Sequence, residues 1–330
     1  MAGSLTTARR VLVTGAAGFV GSHLVEHLAG LGCRVRALVR YASSGARGWL
    51  DELPAGIGLE VAVGDVRDHD SVMAAMRDCD VVFHLAALIG IPYSYRTPLA
   101  YVRTNVEGTL NLLEAARTLG VARVVVASTS EVYGTAQRVP IDESHPLHPQ
   151  SPYAASKVGA DQLALSFHRS FGLPVALARP FNVYGPRQSD RALVPTIVSQ
   201  LLAGGPVRLG NLAPSRDYTF VDDTVRGLVA IARSDALLGE TANIASGDEI
   251  TVGALAERVA RIAGRPLSIE EDDARRRPPS SEVDRLRGDA TRLTALTGWR
   301  AQVGLDDGLA RTIDWISLRL ARFRTGEYRM

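Results

Sequence analysis

The chain is expected to be an α/β protein: a doubly wound parallel sheet over residues 1–185, and a smaller, irregular C-terminal lobe drawn mostly from residues 186–330. A segment near 218–245 is expected to return to the sheet. Three observations predict this. Short β-rich apolar runs alternate with amphipathic stretches up to residue 180, the rhythm of parallel strands joined by right-handed helical crossovers. A glycine-rich turn follows the first run. After residue 185 the rhythm breaks into loops rich in proline, glycine and arginine, as in a lobe built around a ligand. The length of 330 residues matches about two domains at ~150 residues each.

In order, strands are expected over 11–14, 34–39, 59–63, 81–84, 124–127 and 175–178, with helices over 20–31, 70–77, 105–119 and 153–171 between them. Ligands of such a sheet sit at the carboxyl ends of its strands. Loops follow at 204–206, 211–217 and 275–281, and 308–322 reads as a surface-packed amphipathic helix. Nothing repeats internally.

Composition narrows the function. Hydrophobic residues at 46% and charged residues at 22% fit a globular chain. With 37 basic and 35 acidic side chains the net charge is +2, so no basic field is available for a nucleic-acid backbone. Two cysteines, Cys33 and Cys79, allow neither a disulfide framework nor a cysteine-rich metal site, and a reducing cytoplasm is the expected location. The first ten residues lead into too short an apolar run for a signal segment, and no run reaches the roughly 18 apolar residues of a membrane span. No metal, nucleic-acid or membrane partner is therefore expected. Lys157 is the only lysine among the 37 basic residues.

The first strand runs into Gly15-Ala16-Ala17-Gly18-Phe19-Val20-Gly21. Glycines there permit a tight turn and close approach of a pyrophosphate, whose charge the following helix N-terminus favours. This predicts a Rossmann-type dinucleotide site. Its second strand ends without the usual ribose-binding carboxylate; Arg40 stands there, followed by Ser43 and Ser44. A cation in that place suits a 2′-phosphate and leans the cofactor towards NADP, although a solvated Arg40 would leave NAD acceptable. Asp65, between Gly64 and Val66, offers a carboxylate for the adenine amino group.

Tyr153 and Lys157 are four apart on an expected helix, hence on one face. Lysine beside a phenol favours the phenolate, and an oxidised nicotinamide would add a second positive charge, so the tyrosine could act as a base near neutrality. That the sole lysine falls here disfavours a mere surface amine.

With these residues in place the chain resembles the extended short-chain dehydrogenase/reductases that act on nucleotide sugars. The resemblance runs through the glycine turn; His84-Leu85-Ala86-Ala87; Asn105; residues 128–134 (Ser-Thr-Ser-Glu-Val-Tyr-Gly); the Tyr153/Lys157 pair; 179–187; 216–223; and Gly298-Trp299. It implies a tightly bound NAD(P)+, a nucleotide-sugar substrate and a homodimer. Leu110, Leu113, Ala116, Leu163, Leu165 and Phe167, spread over two helices, are expected to cover the dimer face. The resemblance also implies cofactor contacts at Leu85, Ala86, Ala87 and Asn105, a sugar 4-oxygen contact at Thr129, and diphosphate contacts at Asn182 and Arg216. Tyr93, Arg187, Arg277 and Glu282 complete the expected substrate set. His84 reads as a packed strand-end histidine.

Members of this family either invert carbon 4 or remove water across carbons 5 and 6. Glu131, two residues after Thr129, would face the same side at a strand end and could take the carbon 5 proton. Epimerases usually carry a small neutral residue there. Ser130 stands where the dTDP-glucose dehydratases have an aspartic acid. The Thr-Ser-Glu form and residues 277–284 resemble the GDP-mannose and UDP-N-acetylglucosamine 4,6-dehydratases, and residues 49–51, 91–95 and 215–217 look closest to the UDP-N-acetylglucosamine group. A 4-epimerase of the same fold and, more remotely, a non-catalytic dinucleotide sensor are the alternatives.

Overall fold

The computed structural model describes residues 10–54 and 56–325. The expectation that the N-terminus is not a signal segment falls on residues 1–9, outside the described residues.

Seven parallel strands form the main sheet. Six are β1 (Arg10–Thr14), β2 (Arg34–Val39), β3 (Leu59–Val63), β4 (Val81–His84), β5 (Arg123–Ala127) and β6 (Val175–Pro180), and the seventh is Thr241–Ile244. From one edge the order is Thr241–Ile244, β6, β5, β4, β1, β2, β3. β1 is central, Val11 lying beside Val35 on one side and Val81 on the other.

The alternating side chains of these strands feed two cores, one on each face. Val13, Ala37, Phe83, Val125 and Ala178 pack with helix α1 (Phe19–Gly30) and with the Val221–Arg233 helix. Leu12, Leu38, Val82, Val126 and Leu177 pack on the other face. That face is covered by α2 (His69–Met76), α5 (Gly108–Thr118) and α6 (Pro152–Phe171). Burial on both faces is why the strands read as nearly unbroken apolar runs.

Two short helices, α3 (Ile91–Arg96) and α4 (Pro98–Tyr101), lead into a π-helical turn at Val102–Glu107 that continues as α5. Local chemistry fixes the start of α6. The Ser151 hydroxyl accepts from the Ala154 amide at 3.1 Å, Pro152 occupies the first turn, and Gly172 ends the helix at φ +67°. Tyr153 therefore sits in the first turn of α6 and Lys157 one turn on.

A separate core gathers Tyr184, at the end of the short strand Asn182–Tyr184, with Val198, Leu255, Val259, Leu309 and Ile313 from the Leu193–Leu202, Val252–Ala263 and Leu305–Ser317 helices. The expected 308–322 helix is thus Leu305–Ser317 followed by a 3-10 turn at Leu320–Arg322.

One expectation is corrected outright. Leu113, Ala116, Leu165 and Phe167 are buried in the chain's own core under α5 and α6, and Leu110 and Leu163 pack against it. Their apolar character is spent inside the chain and argues nothing about a dimer face. Among the described residues no helix is long and apolar enough to cross a membrane.

Candidate active site

The glycine turn has the shape of a pyrophosphate cradle. Gly15 sits at φ +68°, where an added Cβ would stand 2.8 Å from the Ala86 amide nitrogen; at Gly21 a Cβ would come within 2.1 Å of the Gly15 carbonyl. The Gly18 amide donates to that carbonyl at 3.1 Å. No side chain caps α1 at Gly18, so the amides of its first turn, including Phe19 and Val20, have no side-chain acceptor and carry the positive end of the helix dipole. Such a cradle fits a dinucleotide.

Around it, Ala86 donates its amide to the Thr14 hydroxyl at 3.1 Å, fixing the strand-end loop that carries Leu85 and Ala87. Asn105 braces the same loop: its Oδ1 accepts from the Leu88 amide at 2.8 Å, and its Nδ2 donates to the Leu88 carbonyl and to Ser156 Oγ. Arg40 is exposed beyond β2. Asp65 is bridged by Arg67 at 2.7 Å, which holds its carboxyl below the usual range, with Arg40 contributing at longer reach. Val66 packs where a side chain on Gly108 would collide with it. His84 bonds Thr14 through Nδ1 at 2.8 Å and Thr109 through Nε2 at 3.1 Å; burial drops its pKa to about 3, a neutral packed imidazole.

The catalytic candidates meet at the carboxyl end of β5. Tyr153 and Lys157 are both buried on α6, and the Lys157 ammonium donates to the Ala127 carbonyl at 2.6 Å. Burial lowers the pKa of Lys157, and Asp161 opposes the fall. Burial also pushes the Tyr153 phenol above its ordinary range; Thr129, within hydrogen-bonding reach, pulls it back, while the charge of Glu131 raises it further.

Thr129 and Glu131 do not share a strand face as the alternation suggested. Residues Ser130–Tyr133 form a 3-10 turn, capped by Thr129, whose hydroxyl accepts from the Glu131 amide at 3.3 Å. The turn nonetheless brings both residues to Tyr153. Ser130 is buried in the same turn.

Of the expected substrate residues, Arg216, Arg277 and Glu282 are brought together with Glu131. Arg277 lies 3.5 Å from a Glu131 oxygen and 3.9 Å from Glu282, and Arg216 lies 3.8 Å from Glu282. Asn182 opens the neighbouring strand, its amide donating to the Asp217 carbonyl at 3.0 Å. The Asp217 carboxylate accepts from Ser246, Gly247 and Gly288, which leaves Arg216 facing Glu282. Tyr93 is part-exposed on α3. Arg187 is engaged elsewhere, with Glu26 of α1 at 2.8 Å.

Asp161 escaped the sequence reading. Fully buried one turn beyond Lys157, it accepts from Ser128 at 2.8 Å and from Arg179 at 3.0 Å. Its spacing from Lys157 was the available signal. Tyr101, edge-on to Tyr153 at 6.3 Å, had none.

The model of the GDP-mannose 4,6 dehydratase family matches residues 12–312. A dTDP-glucose 4,6-dehydratase of Streptomyces antibioticus is 37% identical over 92% of this chain and 91% of its own. A UDP-glucose 4-epimerase of Mycolicibacterium smegmatis is 36% identical over 93% of this chain and 98% of its own. The crystal structure of the dTDP-glucose 4,6-dehydratase DesIV from Streptomyces venezuelae, with NAD bound, superposes with a TM-score of 0.87 at 34% identity, covering 96% and 99% of the two chains. The chain therefore belongs to the GDP-mannose 4,6-dehydratase-like family of extended short-chain dehydrogenase/reductases and is an NAD(P)-dependent enzyme, a nucleotide-sugar 4,6-dehydratase or 4-epimerase.

Proposed function

We propose that the enzyme is a 4,6-dehydratase, converting a nucleoside-diphosphate hexose to its 4-keto-6-deoxy form. The observation that carries this is Glu131, a carboxylate only 8% exposed and close enough to Tyr153 for its charge to act on the phenol. An epimerase needs no base there. NAD(P)+, when bound, would accept the carbon 4 hydride and, once reduced, return it to carbon 6. Tyr153 takes the proton of the 4-hydroxyl while Thr129 holds that oxygen and Lys157 supplies positive charge. Glu131 takes the carbon 5 proton, made acidic by the 4-keto group, and passes it to the departing 6-hydroxyl, which leaves as water; as hydride reaches carbon 6, carbon 5 takes up a proton, balancing the one that Tyr153 gained from the 4-hydroxyl and gives back to solvent. Ser130 is too weak an acid for that last step.

For the substrate, a UDP-N-acetylglucosamine-type sugar comes first and GDP-mannose second: Ser130 and residues 277–284 favour the two together, and residues 49–51, 91–95 and 215–217 favour the former. The relatives named for dTDP-glucose make that sugar the rival arm. Asn182 and Arg216 hold the diphosphate end, with Arg277 beside them and Glu282 as the carboxylate that both guanidiniums face, within a substrate lobe drawn mostly from residues 186–330. Arg40 selects NADP, held tightly between turnovers. The enzyme is a homodimer, and exposed Leu99 and Val102, not the buried residues of α5 and α6, are candidates for its contact.

Incubating the cofactor-loaded enzyme with UDP-N-acetylglucosamine, GDP-mannose, dTDP-glucose and UDP-glucose, followed by mass spectrometry, tests this. A product lighter by one water supports the dehydratase. An isomer of unchanged mass assigns an epimerase.

A further inference from the structure

The four charged residues between the reacting end of the site and its diphosphate end form one chain: Glu131, Arg277, Glu282, Arg216. Its links are loose. Arg277 Nη1 stands 3.5 Å from Glu131 Oε2, Arg277 Nε stands 3.9 Å from Glu282 Oε1, and Arg216 Nη2 stands 3.8 Å from the same oxygen. Arg277 Nη1 is buried yet makes no hydrogen bond. A buried guanidinium nitrogen left unsatisfied beside a carboxylate is costly, and a partner with better geometry gains by completing it. Arg216 is already anchored on one side, donating to the Ser215 carbonyl at 2.9 Å. Among the described residues Arg277 has no such tether, and it is the member able to change partners between Glu131 and Glu282.

A diphosphate presents more negative charge than a single carboxylate, and its paired oxygens match the fork of a guanidinium. We infer that Arg277 is a positioning residue: it restrains the Glu131 carboxylate while the diphosphate site is empty and releases it when a nucleoside diphosphate draws the guanidinium away. The base is then free to reach carbon 5 only with a substrate seated. This rests on the dehydratase reading for the role of Glu131, but the exchange of partners is a matter of binding alone and is measured without turnover.

The experiment is a double-mutant cycle on the NADP+-loaded enzyme: wild type, Glu131→Gln, Arg277→Gln and the double variant. Each is titrated calorimetrically with UDP, dTDP and GDP, and far-UV circular dichroism verifies folding. If Arg277 must leave Glu131 to bind diphosphate, Glu131→Gln tightens nucleoside-diphosphate binding by roughly tenfold, the low end of couplings between close charge pairs. In the Arg277→Gln background the same change has almost no effect. Equal tightening in both backgrounds means simple repulsion by Glu131 and overturns the inference while leaving the dehydratase reading intact. No change on Glu131→Gln overturns it equally. Binding of none of the three diphosphates overturns both. Should Arg277→Gln fail to fold, Arg277→Lys takes its place, where a single ammonium cannot fork and the gain from Glu131→Gln shrinks at least threefold relative to wild type.

Discussion

The Lys157 ammonium and the Ala127 carbonyl are joined by a hydrogen bond of 2.6 Å, tying the first turns of α6 to the last residue of β5. That bond holds a compact cation, buried, at the strand end. Lys157→Arg keeps the charge but not the size. It should fold, by circular dichroism, and lose about 10²-fold or more in turnover. Near-normal activity would show that any cation serves.

Glu131→Gln should still bind cofactor and reduce it on mixing with substrate, seen as reduced-nicotinamide absorbance, but release water about 10²–10⁴-fold more slowly. A variant that dehydrates within a few-fold of wild type removes Glu131 from the mechanism.

Arg40→Ala separates two roles for an exposed arginine beyond β2. Loss of one charge-assisted contact to a 2′-phosphate, about 1.5–3 kcal/mol, weakens NADP by roughly 10- to 150-fold and spares NAD. Stacking on the adenine would weaken both alike. Equilibrium titration with each dinucleotide decides, and a wild type that prefers NAD refutes the charge argument.

His84 gives the fold an acid limit. Burial lowers its pKa from 6.5 to about 3, so below about 6.5 the unfolded chain takes up a proton that the folded chain refuses. Its contribution is fully present above about 6.5 and is lost as pH falls towards about 3, at up to about 1.4 kcal/mol per pH unit. His84→Gln should flatten that slope in denaturant titrations from pH 7 to pH 4. An unchanged slope assigns the acid sensitivity elsewhere.

Asp161→Ala removes the partner of a buried Arg179. Stranding that cation should cost about 3–5 kcal/mol by denaturant unfolding, far more than a surface pair. A loss below about 1 kcal/mol would mean that Tyr133, which accepts from Arg179 at 3.0 Å, carries the charge unaided.

What the sequence revealed and what it hid have the same physical origin. Strands buried on both faces, such as β1 and β5, announce themselves as apolar runs. Thr241–Ile244 does not, because Asn243 interrupts it; that residue is satisfied by partners a hundred residues away, its backbone N–H donating to the Glu143 carboxylate and its side-chain Nδ2 to the Ile141 carbonyl. The Tyr153/Lys157 pair was legible because one helix carries both. The placement of Glu131 was right for a wrong reason: proximity to Thr129 survives, but a capped 3-10 turn produces it rather than strand alternation. Arg277 and Glu131, far apart in sequence, meet only through the fold.

The edge strand at Thr241–Ile244 and the Val221–Arg233 helix come from chain that has already visited the second core, and Trp299 returns again to donate its indole nitrogen to the Asp223 carbonyl at 3.1 Å. The two halves are thus interleaved rather than placed end to end. Grafting a different specificity lobe onto this cofactor half cannot be done at a single splice near residue 185: the recipient would lose a sheet edge and one wall of its first core, and a working chimera must keep 221–244 and the 290–301 return with the host.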